Sequence, residues 1–187
     1  GAFLADPNAA AHLTENAPAV VQQLLRLGVP FHRTASGSLI LRSFGGQKKK
    51  RTAYAQSSTG KVIMTAMIDA ARKYEASGRI VRYPHHECLR LLTDSGSCRG
   101  VRVRDCYTGA LLDLFGTVIL CSGGMNGMFP GQTTGTSQNT GDMTAAVFSQ
   151  GVPLANPEML QYHPTTVGIP GKRCLVTEAA RGEGGRL

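Results

Sequence analysis

Apolar positions recur at helical spacing in two stretches of this chain and gather into short runs in a third. In the first stretch Val20, Val21, Leu24, Leu25 and Leu27 form a stripe that stops at Gly28, a residue suited to a helix C-terminus. Asp6 followed by Pro7 predicts a helix start upstream of it, and Asn16 with Pro18 in the following turn predicts the start of a second helix. "SGSLILRSFGG" reads as a short strand leaving a turn at Ser36-Gly37. The second helical stretch runs from Thr59 through about Tyr74, with Val62, Ile63, Ala66, Met67 and Ala70 at helical spacing.

Beyond Tyr74 the pattern shortens. "RIVRY" opens a strand-rich half in which Leu89, Leu91, Val101, Val103 and Leu112 mark short runs separated by turn pairs at Ser95-Gly96 and Thr108-Gly109. This predicts a β-meander. "TVILC" is apolar throughout, the pattern of a strand buried on both faces. A glycine-rich loop follows, then a helix from about Asp142 to Gln150 with Gly151 after it; Asp142, Asn139 and Thr140 are all able to cap it. With no internal repeat and no long linker, the fold class is α/β, α+β locally.

Composition narrows the function. The chain has 187 residues, 42% hydrophobic and 17% charged, which suits a soluble globular protein and excludes a disordered tail. A net charge of +8 points to an anionic partner: nucleic acid, a phosphate-bearing cofactor or a carboxylate substrate. Aromatic content of 6% without tryptophan argues against a base-stacking surface, and the run Lys48 to Arg51 has no second basic stripe beside it, so it reads as a solvated loop. No nucleic acid is expected. Five cysteines, an odd number with no Cys-x-x-Cys pair, argue against a disulfide framework or zinc site and for reduced thiols in the cytoplasm. "GAFLADPNAA" lacks the pattern of a signal peptide, and no apolar run reaches membrane-spanning length. His85 and His86 are adjacent, which on a strand sends them to opposite faces, so no shared metal ion is expected.

The chemistry concentrates at the end, in "LQYHPTTVGIPGKRCLVTEAARGEGGRL". Pro164 holds His163 extended, with a ring able to donate to a carboxylate. Glu178 and Arg181 are three apart, side by side on a helical turn, as an ion pair, a proton path or a surface salt bridge. Gly123-Gly124, after the apolar run, admits either a tight turn or the close approach of a ligand.

Taken in order, "LGVPF" with "FGGQ", "RTAYAQSSTG", "VILCSGG", "NTGD" leading into "GVP", "EMLQYHPT" and "LVTEAARGEGG" resemble the flavoprotein subunit of succinate dehydrogenase and fumarate reductase, a family that also contains L-aspartate oxidase. The resemblance covers the chain nearly end to end. It implies an FAD-dependent oxidoreductase that interconverts succinate and fumarate, with L-aspartate oxidation as the alternative within the family. It also implies roles for individual residues. His163 and Thr177 donate to the substrate carboxylates, and Glu178 and Arg181 belong to the proton path. Asp142 contacts FAD, Gly123 and Gly124 give the cofactor room, and the strand at His86, Glu87 and Cys88 offers backbone groups near the adenine. It implies residues 1–157 as the central part of an FAD-binding domain and 158–187 as the beginning of a capping domain. A dicarboxylate substrate and an iron–sulfur electron-transfer subunit are the implied partners, the latter allowing peripheral attachment to the inner face of a membrane.

There are departures. No Gly-x-Gly-x-x-Gly is present, "GGMNGMF" replaces the family's glycine-alanine-glycine turn, and "TTVGIPGKRC" is a longer loop than in dehydrogenase members. The implied chain is therefore an internal piece of a larger flavoprotein, expected by itself to bind an anion or partner without retaining FAD or turning over substrate.

Overall fold

Helix α1 (Pro7–Arg26) starts as its sequence dictates: Asp6 accepts hydrogen bonds from the amides of Asn8 at 2.8 Å and Ala9 at 3.0 Å, with Pro7 at the first helical position. It is one helix, not the two expected. Asn16 donates to the His12 carbonyl at 2.8 Å instead of capping a new start, and Pro18 lies inside the helix. The apolar face explains this. Leu13, Ala17 and Val21 keep i, i+4 phase across the proline and line one groove with Leu39, Leu41 and Ala53. A break at Asn16 would split that face.

The computed structural model describes residues 3–44, 47–163, 165–170, 172–177, 180, 184 and 185. The chain divides into two units, Gly1–Arg82 with Glu178–Leu187, and Tyr83–Thr177. In the first, β1 (Leu41–Arg42) pairs antiparallel with β2 (Thr52–Ala53), and α2 (Thr59–Ala76) follows. Val29, Phe31 and Ala55 are its buried apolar residues. Residues 79–83 are not a strand: the Arg79 guanidinium lies over the Tyr74 ring at 5.0 Å and Arg82 pairs with Glu75 at 2.5 Å, which straps the segment to the end of α2.

In the second unit β3 (His86–Asp94), β4 (Ser97–Asp105) and β5 (Leu111–Phe115) form the expected antiparallel meander in that order. Ser95 and Gly96, at φ of 48° and 78°, make the tight first turn. A bulge between Cys88 and Arg90 sets which residues reach the core. Cys88 and Leu91 are three apart and would fall on opposite faces of a regular strand; the extra residue returns both to one face. On that face Leu91 packs with Met143 and Val147 of α3 (Asp142–Ser149), with Cys88, Val101, Val118 and Ala146 around them. The other face carries charge. Arg102 holds Asp113 in a two-point ion pair at 2.6 and 2.7 Å, and Arg104 pairs with Glu87. A second small sheet joins β6 (Thr166–Ile169) and β7 (Lys172–Leu175).

Helices α1, α2 and α3 end in the same way. Gly28, Gly78 and Gly151 take φ of 90°, 73° and 90°, and the next residue's amide reaches back to Leu24, Tyr74 and Val147 at 3.0, 2.9 and 3.1 Å. This is the six-to-one bond of a Schellman motif.

"TVILC" departs from expectation. Residues 117–121 form no strand, and Ile119 is 82% exposed. A strand buried on both faces needs neighbours on either side, and no described strand pairs with this one. Every strand pair among the described residues is antiparallel, so the observed architecture is the local α+β form of the expected class.

Gln150 closes the free edge of β3. Its side-chain carbonyl accepts from the Leu91 amide at 2.8 Å, and its amide donates to the Leu91 carbonyl at 3.0 Å, so one side chain stands in for a neighbouring strand. Gln150→Leu strips two part-buried backbone groups of their partner and is expected to cost about 2 kcal/mol in a denaturant titration.

The meander also sets an acid limit. Hydrogen bonds from Arg102 hold the Asp113 carboxyl below the usual carboxylate range, and the Thr108 and Tyr107 amides do the same for Asp105. A depressed folded value stabilises above the unfolded pKa, about 3.9, and the contribution is lost as pH falls through the folded one. Stability is therefore expected to be flat from neutral pH down to about pH 5 and to fall below about pH 4. Asp113→Asn should lower the neutral plateau and shrink the acid decline, read as denaturation midpoint against pH.

Candidate functional site

Three stretches of the unit Tyr83–Thr177 carry most of the candidate residues: the start of β3, the loop between β5 and α3, and the approach to the β6–β7 hairpin. The loop is built by close approach. Gly123 sits at φ 84°, and a Cβ there would lie 2.8 Å from the Asn139 side-chain oxygen. Gly127 donates to the Asn139 carbonyl at 2.8 Å, and Asn126 donates to the Thr133 hydroxyl at 2.9 Å. Gly124, in contrast, has open space, with only Asn126 within reach of an added Cβ, at 3.9 Å.

This loop delivers Asp142. Of the three residues able to cap α3, none is the cap: that position is Gly141, at φ 79°, where a Cβ would lie 2.8 Å from Met125 Cβ. Asp142 stands one residue inside the helix, and the Thr140 hydroxyl donates to its Oδ2 at 2.7 Å. The carboxylate keeps lone pairs for a further donor.

The start of β3 and the start of the loop meet around a cavity of about 360 Å³, lined among others by Cys88, Val103, Cys121, Ser122 and Met143. Burial pushes the Cys88 thiol up. Ser122 precedes Gly123 and Met143 follows Asp142, so one space brings together three of the regions the sequence singled out. His86 and Glu87 are committed elsewhere by their side chains: the His86 ring stands edge-on to Tyr83 at 5.6 Å with Nδ1 2.8 Å from the Pro84 carbonyl, and Glu87 pairs with Arg104. Their backbone is what they offer at this edge.

His163 is half-buried. The Thr165 amide donates to its Nδ1 at 3.2 Å, and the Thr165 carbonyl lies 3.2 Å from the same nitrogen. The two contacts belong to different tautomers: a neutral ring that accepts from the amide carries its proton on Nε2, and one that donates to the carbonyl carries it on Nδ1. Val176 donates to the Thr165 carbonyl at 3.0 Å, which extends the β6–β7 ladder and sets exposed Thr177 next in line. Glu178 and Arg181 lie outside the described residues.

Two contacts join this segment to the loop. Phe129 and Tyr162 meet edge to face at 6.0 Å, and Arg173 donates to the Gly131 carbonyl at 3.0 Å and to the Thr166 hydroxyl at 3.1 Å. Sequence reading singled out neither Arg173 nor Gln150. A Lys-Arg pair in "GKRC" and a glutamine after a helix carry no periodic signal, and the partners of Arg173 and Gln150 are 42 and 59 residues away.

The donor set fits a flavin in part. Residues 105–171 contain no lysine or arginine, so what the loop offers is glycine backbone, hydroxyls and one carboxylate. Such groups suit the hydroxyls and polar ring edge of FAD better than its pyrophosphate, which calls for cations or helix N-termini.

Comparison with known proteins agrees. The succinate dehydrogenase flavoprotein subunit of Bacillus subtilis is 38% identical over 190 residues, covering 100% of this chain and 32% of that protein. The fumarate reductase flavoprotein subunit of Mycobacterium tuberculosis is 37% identical over 188 residues, covering 100% of this chain and 31% of its own length. Among solved structures, a mutant of E. coli quinol fumarate reductase FrdA superposes with a TM-score of 0.82 at 33% identity, over 91% of this chain and 28% of that one. Mycobacterium smegmatis Sdh1 gives 0.76 at 29% identity, over 90% and 30%. The chain thus spans about a third of the length of the curated relatives it matches. FAD is the cofactor these findings assign. The family model described as the FAD binding domain matches residues 1–187, and the chain belongs to that family.

Proposed function

We propose that the chain is the central part of a flavoprotein that interconverts succinate and fumarate. The observation that carries this reading is collinear similarity over 100% of the chain to subunits of both enzyme types. The geometry supports it at His163. The Thr165 amide reaches Nδ1, and in the tautomer that accepts from it the ring carries an Nε2 proton, the kind of donor a carboxylate needs. Two residues on, the Thr165 hydroxyl is buried without a hydrogen-bond partner among the described residues, at 4% residue exposure. A hydroxyl so placed costs about 1–3 kcal/mol unless something else satisfies it.

Bound FAD supplies the hydride chemistry. His163 and Thr177 hold the substrate carboxylates in line for it, the proximity contribution to the rate. Glu178 and Arg181 carry the proton that leaves the neighbouring carbon, and the arginine stabilises negative charge as it develops. Asp142, with Gly123 and Gly124, seats the cofactor, and the backbone at His86, Glu87 and Cys88 faces its adenine end. Residues 1–157 then belong to the FAD-binding domain and 158–187 open the capping domain. The electron partner is an iron–sulfur subunit.

The test is steady-state turnover of the full-length protein with succinate and a dye acceptor, and with fumarate and a reduced dye. Turnover of either, inhibited competitively by malonate, is expected. Oxidation of L-aspartate with no response to succinate would overturn the substrate assignment.

A further inference from the structure

The glycine-rich loop and the His163 segment are fastened together on both sides of the histidine. Before it, the Tyr162 ring meets Phe129 edge to face at 6.0 Å. After it, the Arg173 guanidinium on β7 spans from Thr166 on β6, at 3.1 Å, to the Gly131 carbonyl, at 3.0 Å. Phe129 and Gly131 are two residues apart in the loop, so both fasteners attach to one short piece of it. That piece is itself held: Gln132 donates to the Phe129 carbonyl at 3.0 Å, and Thr133 accepts from Asn126 at 2.9 Å.

We propose that Arg173 and the Phe129–Tyr162 pair form a two-point clamp. It fixes the His163 segment to the loop that leads into Asp142, so that cofactor seating and dicarboxylate binding are linked. The clamp rests on contacts alone; what it links rests on the function proposed above. Arg173 is a positioning residue. Its fork of donors meets two acceptors at once, which a lysine ammonium on a flexible stem does poorly. Because the guanidinium is the bridge between hairpin and loop, removing it frees both sides together, whereas a residue bracing the hairpin alone would free one.

The experiment uses the full-length protein, as wild type, Arg173→Ala, Arg173→Lys and Phe129→Leu. Hydrogen exchange is followed in peptides covering 126–140 and 160–168, and malonate is titrated against the flavin absorbance spectrum. For Arg173→Ala, exchange is expected to rise about tenfold in both segments, and the malonate Kd to rise about tenfold at unchanged flavin content. Arg173→Lys should recover part of each effect, and Phe129→Leu should loosen the same two segments. Exchange that rises only in 160–168, or in neither segment, overturns the clamp. Loosened segments with malonate affinity unchanged overturn the linkage. A wild type that ignores malonate while both segments loosen in the variant upholds the clamp and discards the dicarboxylate reading, so the two failures are distinguishable.

Discussion

Gly100→Ala is expected to destabilise the unit Tyr83–Thr177 by about 3 kcal/mol, a large share of the roughly 5–15 kcal/mol that holds an ordinary domain together. Gly100 is buried in the central strand of the meander, opposite Leu92 on one side and Phe115 on the other. A Cβ at this position would collide with the Leu114 carbonyl oxygen and come within 2.9 Å of Phe115 Cα and 3.0 Å of the Leu114 carbonyl carbon. These are backbone atoms of the neighbouring strand, so no rotamer change relieves the clash and β5 itself must move. Moving it disturbs the inward-facing row, where Val101 pairs with Leu114 and Val103 with Leu112. Gly168→Ala is the control: it lies in β6 with nothing within 4 Å of an added Cβ and no strained φ, so its midpoint should stay within about 0.5 kcal/mol of wild type. Denaturant titrations of the two variants, side by side, give the comparison.

His163→Ala carries the second large effect, on turnover. Loss of a fixed hydrogen-bond donor at an active site typically costs a factor of about 10²–10³ in rate. Here kcat/KM for succinate or fumarate is expected to fall about 10²-fold, with flavin content unchanged because His163 lies on the substrate side of the proposed site. His163→Gln should recover part of the loss, since an amide can accept from Thr165 through its oxygen and donate through its nitrogen. A drop in flavin content equal to the drop in rate would instead mark His163 as part of the cofactor seat. Full activity in the alanine variant would remove it from the mechanism.

What the sequence reveals here and what it hides divide along physical lines. Signals confined to a few adjacent residues are readable: Asp6-Pro7 at the start of α1, Gly28 and Gly151 at helix ends, Ser95-Gly96 between β3 and β4. Each depends on a backbone conformation that only certain residues favour. Asn16-Pro18 has the same local form, yet α1 runs through it, because an apolar face in phase on both sides outweighs one missing amide. "TVILC" has the composition of an interior strand, but strand structure needs ladder partners, and a run of apolar residues does not say where they come from. The bulge at Leu89 and the edge seal by Gln150 depend on register across the fold, which no local pattern encodes.

The candidate site divides in the same way. His163, Asp142 and the Gly123-Gly124 pair stand out because reactive or permissive residues cluster in short motifs. The bracing around them is silent in sequence. Thr165 beneath the imidazole, Thr140 against Asp142 and Arg173 across to Gly131 act through hydrogen bonds whose geometry exists only once the loop has closed.

On the function proposed above, a flavin held by the full-length protein exchanges a hydride with a C4 dicarboxylate. This is tested most directly by adding succinate, without air, to the purified full-length protein and following its flavin absorbance. Bleaching by succinate that fumarate then reverses is the predicted result. A bound flavin that bleaches with dithionite but is left unchanged by succinate, and that fumarate does not reoxidise, would contradict it.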